Sequence, residues 1–283
     1  IHHIQMVNGM FLEFLICFNI KYCLTIRGSD VTISLINDEL QEEKVTQALH
    51  HSQRIHTISQ YLKDVVINLG VHNDKISVMP RLVDKVQSRN NNTLHNKLHL
   101  LTVGRFHWIK GYSYILEACN ELKKKGIQFH YTIIAGGRDH ENIHFQIHDL
   151  GLKNYITFLN ELPHYQVIEM LSECNLFILP SIEEGISNSV LEAMAVGVPV
   201  ISTDCGGMVE VIKHGENGFI VPVRDPKSMA DTIQKFQHLD ETDKMIIINN
   251  AKETIISYHL IHDQVVRFKS FYSNIIKSYT FSG

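Results

Sequence analysis

From Lys97 to Val221 short apolar runs alternate with amphipathic stretches, and this alternation limits the fold more than any other feature of the chain. Leu98–Val103, Phe129–Ala135, Ile156–Phe158, Leu176–Leu179, Pro199–Ser202 and Gly218–Val221 have the length and residue types of strands. Between them, Tyr112–Lys125, Glu141–Leu150, Tyr165–Ser172 and Ser189–Val196 read as helices, with a shorter one near Val209–Lys213. In Tyr112–Lys125 the residues Ile115, Leu116, Ala118, Cys119 and Leu122 share one face, as burial against a sheet requires. Repeated strand–helix units of this size predict an α/β fold with a parallel, doubly wound sheet, whose ligands lie beyond the carboxyl ends of the strands.

Pro226 opens a further helix through Met229–Phe236, and Glu241–Ser257 and Asp263–Lys277 are helical in pattern. The front of the chain is a different unit. Ile4–Asp30 reads as strand, helix, strand. Gln53–Leu69 reads as strand and helix, and Asp74–Pro80 ends in a strand. Val86–Lys97, with three asparagines at its centre, is polar and loop-like and reads as the linker. The expected division is therefore 1–92 for an incomplete first domain, 93–264 for a second domain, and 265–283 for a terminal helix that could return to the first.

A length of 283 residues allows one large domain or two ordinary ones, and 44% hydrophobic with 20% charged residues is a globular composition. A net charge of −4 gives no electrostatic case for nucleic acid. Five cysteines without a C-x-x-C spacing suggest reduced, mostly buried thiols in a reducing compartment. Met10–Leu24 is apolar but interrupted by Glu13, Asn19 and Lys21, so a buried helix and strand are expected there rather than a membrane span. Lys123–Lys125 read as the solvated end of a helix.

The chemistry concentrates in two loops. Leu176–Leu179 and Pro180 are followed by Ser181-Ile182-Glu183-Glu184-Gly185-Ile186-Ser187-Asn188-Ser189 and then by Val190-Leu191-Glu192-Ala193-Met194-Ala195. This is strand, loop and helix, with Ser187 or Asn188 as the N-cap. Amides at that helix start, with its dipole behind them, favour an anion. A carboxylate on each side, Glu184 and Glu192, suits a phosphate ester whose sugars offer hydroxyl donors better than it suits a bare phosphate. The second loop, Gly104-Arg105-Phe106-His107-Trp108-Ile109-Lys110-Gly111, also joins a strand to a helix. Arg105 can grip a diphosphate with a two-pronged hydrogen bond, and Lys110 adds a point charge. Two cations offset a diphosphate without a metal, and no Asp-x-Asp occurs. His140-Glu141-Asn142-Ile143-His144 matches H-E-x-x-H, but the polar start of an ordinary helix accounts for it, and no clear third ligand follows. No metal or cofactor is expected.

These segments resemble the retaining glycosyltransferases of family 4. Glu184 and Glu192 are similar to that family's Glu-x7-Glu pair, and Gly104-Arg105 with Lys110-Gly111 to its diphosphate-binding motif. Ile134-Ala135-Gly136-Gly137 resembles a strand ending in a Gly-rich turn, without the Asp common there. Ile156-Thr157-Phe158-Leu159 resembles the segment lining the nucleotide base. Cys205–Ile212 and Asn217–Pro222 are similar to the next two blocks. Ile26-Arg27-Gly28-Ser29-Asp30-Val31 has Arg27 where the family has His, and Val78–Asp84 has Arg81 and Leu82 where it has Asn and Gly.

The resemblance implies two Rossmann-like domains facing a cleft, with the opening strands of the first absent here. It implies transfer of a sugar from a UDP-, GDP- or ADP-sugar to a glycan or lipid-linked acceptor, with retention of configuration. Glu184 would hold the sugar hydroxyls and Glu192 those of the ribose. Gly185, Ile186, Ser187, Asn188 and Ser189 would meet sugar and phosphate, and Gly104, Phe158 and Leu159 would complete the donor site. Arg105 and Lys110 would stabilise the leaving diphosphate. A cytoplasmic protein of a cell-surface polysaccharide or glycolipid pathway is implied. Such enzymes often dock on the membrane's inner face, yet no basic amphipathic helix marks docking in this sequence. The rival expectations are a nucleotide-sugar binder or subunit completed by a partner, an epimerase of the same fold, and a nicotinamide oxidoreductase, which lacks its G-x-G-x-x-G.

Overall fold

A computed structural model describes residues 10–33, 35–36, 39–87, 97–137 and 141–280. The chain forms two compact units. One contains residues up to Leu82, Glu184–Ile186 and the chain from Ile261; the other contains Val83–Glu183 and Ser187–Leu260.

In the first unit the elements are α1 (Met10–Cys17), β1 (Cys23–Ile26), α2 (Ser29–Thr32), α3 (Glu39–His51), β2 (Arg54–Thr57), α4 (Gln60–Asn68) and β3 (Ile76–Val78). Among the described residues β1, β2 and β3 make a parallel sheet in that order, with Leu24 opposite Ile55 and Ile55 opposite Ile76. Ser59 starts α4 by accepting a hydrogen bond from the Leu62 amide at 3.2 Å, an N-cap in extended conformation. The strand expected near Ile4 lies outside the described residues. The helix at Met10 is not fully buried as expected. Leu12 and Leu15 are covered, while Phe11, Phe14, Ile16 and Phe18 are exposed, because only one stripe of a helix can face a core. α3 was not anticipated: only Val45, Ala48 and Leu49 are buried on it, too thin an apolar face to stand out among charged neighbours.

The second unit runs β4 (Leu98–Arg105), α5 (Tyr112–Lys124), β5 (Phe129–Gly136), α6 (Glu141–Asp149), β6 (Ile156–Leu159), α7 (His164–Glu173), β7 (Leu176–Leu179), α8 (Asn188–Val196), β8 (Val200–Thr203), α9 (Met208–Val211), β9 (Phe219–Val221), α10 (Pro226–His238) and α11 (Glu241–Tyr258). Its sheet is parallel in the order β6-β5-β4-β7-β8-β9, as the strand–helix alternation predicts. All four residues of β7 are buried because helices cover both faces of the sheet. Leu176 and Ile178 point into one core with Leu100, Ile115, Leu116, Tyr131 and Ile133, where α5, α6 and α10 pack. Phe177 and Leu179, alternate on the strand, face the other side; there α8 packs with α7 and α11.

The boundary differs from the expected 92/93. The Val83 amide donates to the His259 carbonyl at 2.8 Å and the Gln87 amide to the Ala195 carbonyl at 3.0 Å, so these residues join the second unit. Residues 88–96, the centre of the expected linker, lie outside the described residues. The terminal helix α12 (Ile261–Thr280) starts before residue 265 and groups with the first unit. There Phe268 and Phe271 meet the buried His56 ring edge-on, at centroid distances of 5.4 and 6.3 Å. His56 Nε2 and the Met79 carbonyl oxygen are 2.9 Å apart, the imidazole N–H donating. Cys119, Cys174 and Cys205 are buried, but Cys17 is exposed on α1. The Lys123 ammonium is not merely solvated: it donates to the Leu150 carbonyl at 2.5 Å, and Lys125 pairs with Asp231.

Candidate functional site

The order of the large sheet creates the site. The chain winds outward from β4 through β5 to β6, then returns to the other side of β4 and winds through β7 and β8 to β9. The direction therefore reverses between β4 and β7, and loops leaving their carboxyl ends diverge around a crevice where open α/β sheets take ligands. Both chemistry-bearing loops of the sequence, Arg105–Gly111 and Pro180–Ser187, leave those two strands.

Several contacts fasten the two loops. The Ile182 amide donates to the Ile109 carbonyl at 2.7 Å. Gly111 is left-handed with φ 68°, and a Cβ there would overlap the Pro180 carbonyl oxygen, so only glycine permits the approach. The Ser189 hydroxyl donates to the Val103 carbonyl at 3.1 Å, tying the start of α8 to the end of β4. Thr203 Oγ1 donates to the Ser181 carbonyl at 2.5 Å and holds the other end of the second loop.

Within this frame, Gly104 is the last small residue before Arg105. A Cβ on it would lie 3.3 Å from the Tyr112 hydroxyl and 3.7 Å from Lys110 Cδ, so the Lys110 stem folds over Gly104. Lys110 is half-buried by that stem and Arg105 is exposed at the strand end. The Phe106 ring stacks on Tyr112 at 5.5 Å and meets Phe158 edge-on at 6.3 Å. Phe158 also faces His144 at 5.3 Å, so this ring forms the wall of the β6 end rather than an exposed platform. Leu159 closes β6 opposite Ile134. Glu161, which sequence reasoning missed, lies over the Gly-rich turn: a Cβ on Gly136 would be 2.8 Å from its Oε2.

Ser187 is the N-cap of α8, but its side chain makes no capping hydrogen bond. Its hydroxyl pairs with that of Ser189 at 3.0 Å and its amide meets Met208 Sδ at 3.4 Å. The Ser187 side chain therefore does not cap the α8 amides. Asn188 is exposed and Ser189 half-buried. Glu192 lies on the second turn between buried Leu191 and Ala193, its side chain 24% exposed, with Oε1 3.1 Å from His164 Nε2. His164, the first residue of α7, carries no motif that could have revealed it.

Glu184, Gly185 and Ile186 group with the first unit, so Glu184 and Glu192 belong to different units. Gly185 is buried there. A Cβ on it would overlap the Arg27 carbonyl and come within 2.8 Å of Leu62 Cδ1. Gly28, at φ 147°, approaches the Gly185 amide in turn: a Cβ on it would lie 3.3 Å from that nitrogen. Arg81 feels the charges of Arg27, Glu184 and Asp30. Burial and the neighbouring Arg27 lower the Arg81 pKa, and the carboxylates of Glu184 and Asp30 partly restore it. Arg27 and Arg81 are two of the departures noted in the sequence, and the fold brings their charges near one another.

Among the described residues no three His, Cys, Asp or Glu side chains gather as a metal would need. His140 of the H-E-x-x-H stretch lies outside the described residues; His144 packs on Phe158. No helix among the described residues is long and apolar enough to cross a membrane.

Residues 84–254 match the family model described as glycosyl transferases group 1. The chain is 32% identical over 164 residues to the putative colanic acid biosynthesis glycosyltransferase WcaL of Salmonella typhimurium, covering 56% of this chain and 40% of that protein. It is 27% identical over 256 residues to the amylovoran biosynthesis glycosyltransferase AmsK of Erwinia amylovora, covering 87% of this chain and 62% of the relative. The chain thus spans about half the length of the curated relatives it matches. Among solved structures, sucrose-phosphate synthase from Thermosynechococcus elongatus superposes with a TM-score of 0.86 at 17% identity, covering 98% of this chain and 73% of that one. Anabaena HepE in complex with UDP superposes with a TM-score of 0.80 at 17% identity, covering 92% and 74%. These likenesses establish the fold as that of the GT-B glycosyltransferases.

Proposed function

Because the chain belongs to the group 1 glycosyl transferases, we propose that it takes part in moving a sugar from a nucleoside-diphosphate sugar to a glycan or lipid-linked acceptor, with retention of configuration. The observation that carries this reading is the pinned pair of loops at the switch point of the large sheet. They tie the loop that carries Arg105 and Lys110 to the loop that leads into α8. Two cations and a helix N-terminus suit a diphosphate, and a carboxylate on the same helix suits a ribose.

In this account the diphosphate binds between Arg105, Lys110 and the start of α8. Glu192 accepts hydrogen bonds from the ribose hydroxyls. Gly104 and the Phe158–Leu159 end of β6 shape the side that takes the base. Glu184 holds hydroxyls of the transferred sugar. The bond from the sugar C1 to the diphosphate oxygen breaks through an oxocarbenium-like transition state. The acceptor oxygen bonds to C1 on the same face and passes its proton to the departing diphosphate. Arg105 and Lys110 act on the charge that grows on that leaving group, where fixed electrostatics contribute most. No step calls for a metal, and the reaction would proceed in the cytoplasm.

The reading is tested by assaying sugar release and transfer from UDP-, GDP- and ADP-glucose with EDTA present, in wild type and in Arg105→Ala. Turnover of one donor that collapses in the variant supports it. Turnover that requires added Mg2+ or Mn2+ would replace the two cations with a metal in the account.

A further inference from the structure

We propose that His164 is a positioning residue for Glu192, holding its carboxylate ready for the nucleotide's ribose. The inference rests on the reading of Glu192 given above and adds a residue on another helix to it.

Glu192 sits on the one polar position of a turn whose neighbours Leu191, Ala193 and Met194 are buried, so its stem is fixed while its carboxylate can still rotate. Among the described residues its one polar partner is His164, through Nε2 to Oε1 at 3.1 Å. His164 opens α7 directly after Pro163, whose ring fixes the entry of the chain, and α7 packs on α8. The imidazole therefore reaches Glu192 from a rigid neighbouring helix.

The contact has a chemical direction. A carboxylate only accepts, so Nε2 must carry the proton, and this fixes the tautomer of the neutral ring. The hydrogen bond occupies Oε1 and leaves Oε2 free for a sugar hydroxyl. An unbound glutamate of three rotatable bonds would lose that freedom on binding; one already held loses less, and affinity gains accordingly. The pair is also open to solvent on the His side, with 69% of the His164 side chain exposed against 24% for Glu192.

The experiment is calorimetric titration of the full chain with UDP, GDP and ADP, and with their 2′,3′-dideoxy forms, in wild type, His164→Ala, His164→Gln, Glu192→Ala and the double alanine variant. For the ribonucleotide that binds, His164→Ala is expected to weaken affinity about three- to tenfold, the effect of one hydrogen bond. His164→Gln, whose amide nitrogen reaches the Nε2 position, restores most of it. The loss disappears with the dideoxy form and in the Glu192→Ala background. Equal losses for ribo- and dideoxyribonucleotide, or an effect that persists without Glu192, would overturn the proposal in favour of a structural role for His164. A Glu192→Ala effect with none from His164→Ala also overturns it and leaves the ribose reading intact. No effect from Glu192→Ala removes the ribose reading itself, and binding of no nucleotide removes both.

Discussion

In the proposed function Arg105 takes the diphosphate and Glu192 the ribose, and their variants should separate these parts of a nucleotide. Arg105→Ala is expected to weaken binding of the diphosphate far more than of the bare nucleoside, as titration of the two ligands would report. Equal loss for both would make Arg105 structural. Glu192→Ala is expected to cost about 1–3 kcal/mol of nucleotide affinity, because it leaves hydroxyl donors without an acceptor. Both residues are candidates from the sequence because each sits at a fixed offset from a strand end or a helix start. His164 and Glu161 are not. His164 meets Glu192 and Glu161 approaches Gly136 across space, and no local spacing marks such an approach. The joining of Arg27 with Arg81 was hidden for the same reason: one follows β1 and the other follows β3.

At the scale of elements, the strands and helices of the second unit were readable to within a residue or two, because buried parallel strands are uniformly apolar and their helices carry one apolar face. What fixes the loops between them is finer. Gly111→Ala would place a left-handed alanine against the Pro180 carbonyl, combining backbone strain with overlap. It is expected to destabilise the chain by about 2 kcal/mol or more, read as a lower urea midpoint, and to abolish nucleotide binding. A variant of native stability would show that the two loops are not held together through Gly111. Asp225 caps α10, its Oδ1 accepting from the Ser228 amide at 2.9 Å. The Ser228 hydroxyl and amide hold its pKa below the ordinary carboxylate value. A lowered folded-state value contributes stability above the unfolded carboxylate range, and this is lost as pH falls through the folded-state value. Asp225→Ala is therefore expected to cost about 1 kcal/mol at neutral pH and less near pH 3. An unchanged difference across that range would separate the cap from its charge.

For the whole molecule, the sequence marked two unlike units but misplaced their border. The polar, asparagine-rich stretch drew attention to residues 86–97, whereas the second unit already begins at Val83 through its pairing with Leu260. Nor could a linear pattern show that Glu184–Ile186 would leave their own loop's unit for the first, since the cause is the close approach of two glycines, Gly28 and Gly185. If the donor site lies in the second unit, a nucleotide at one hundred times its dissociation constant should stabilise the site-bearing unit by about 2.7 kcal/mol. Hydrogen exchange should then show slower opening of β4, β7 and α8 before any change in β1–β3. The most direct measurement remains calorimetric titration of the chain with UDP, GDP and ADP and their glucose forms in EDTA. The account predicts micromolar binding of one of them that Arg105→Ala abolishes. Binding of none, or binding indifferent to Arg105, would contradict it.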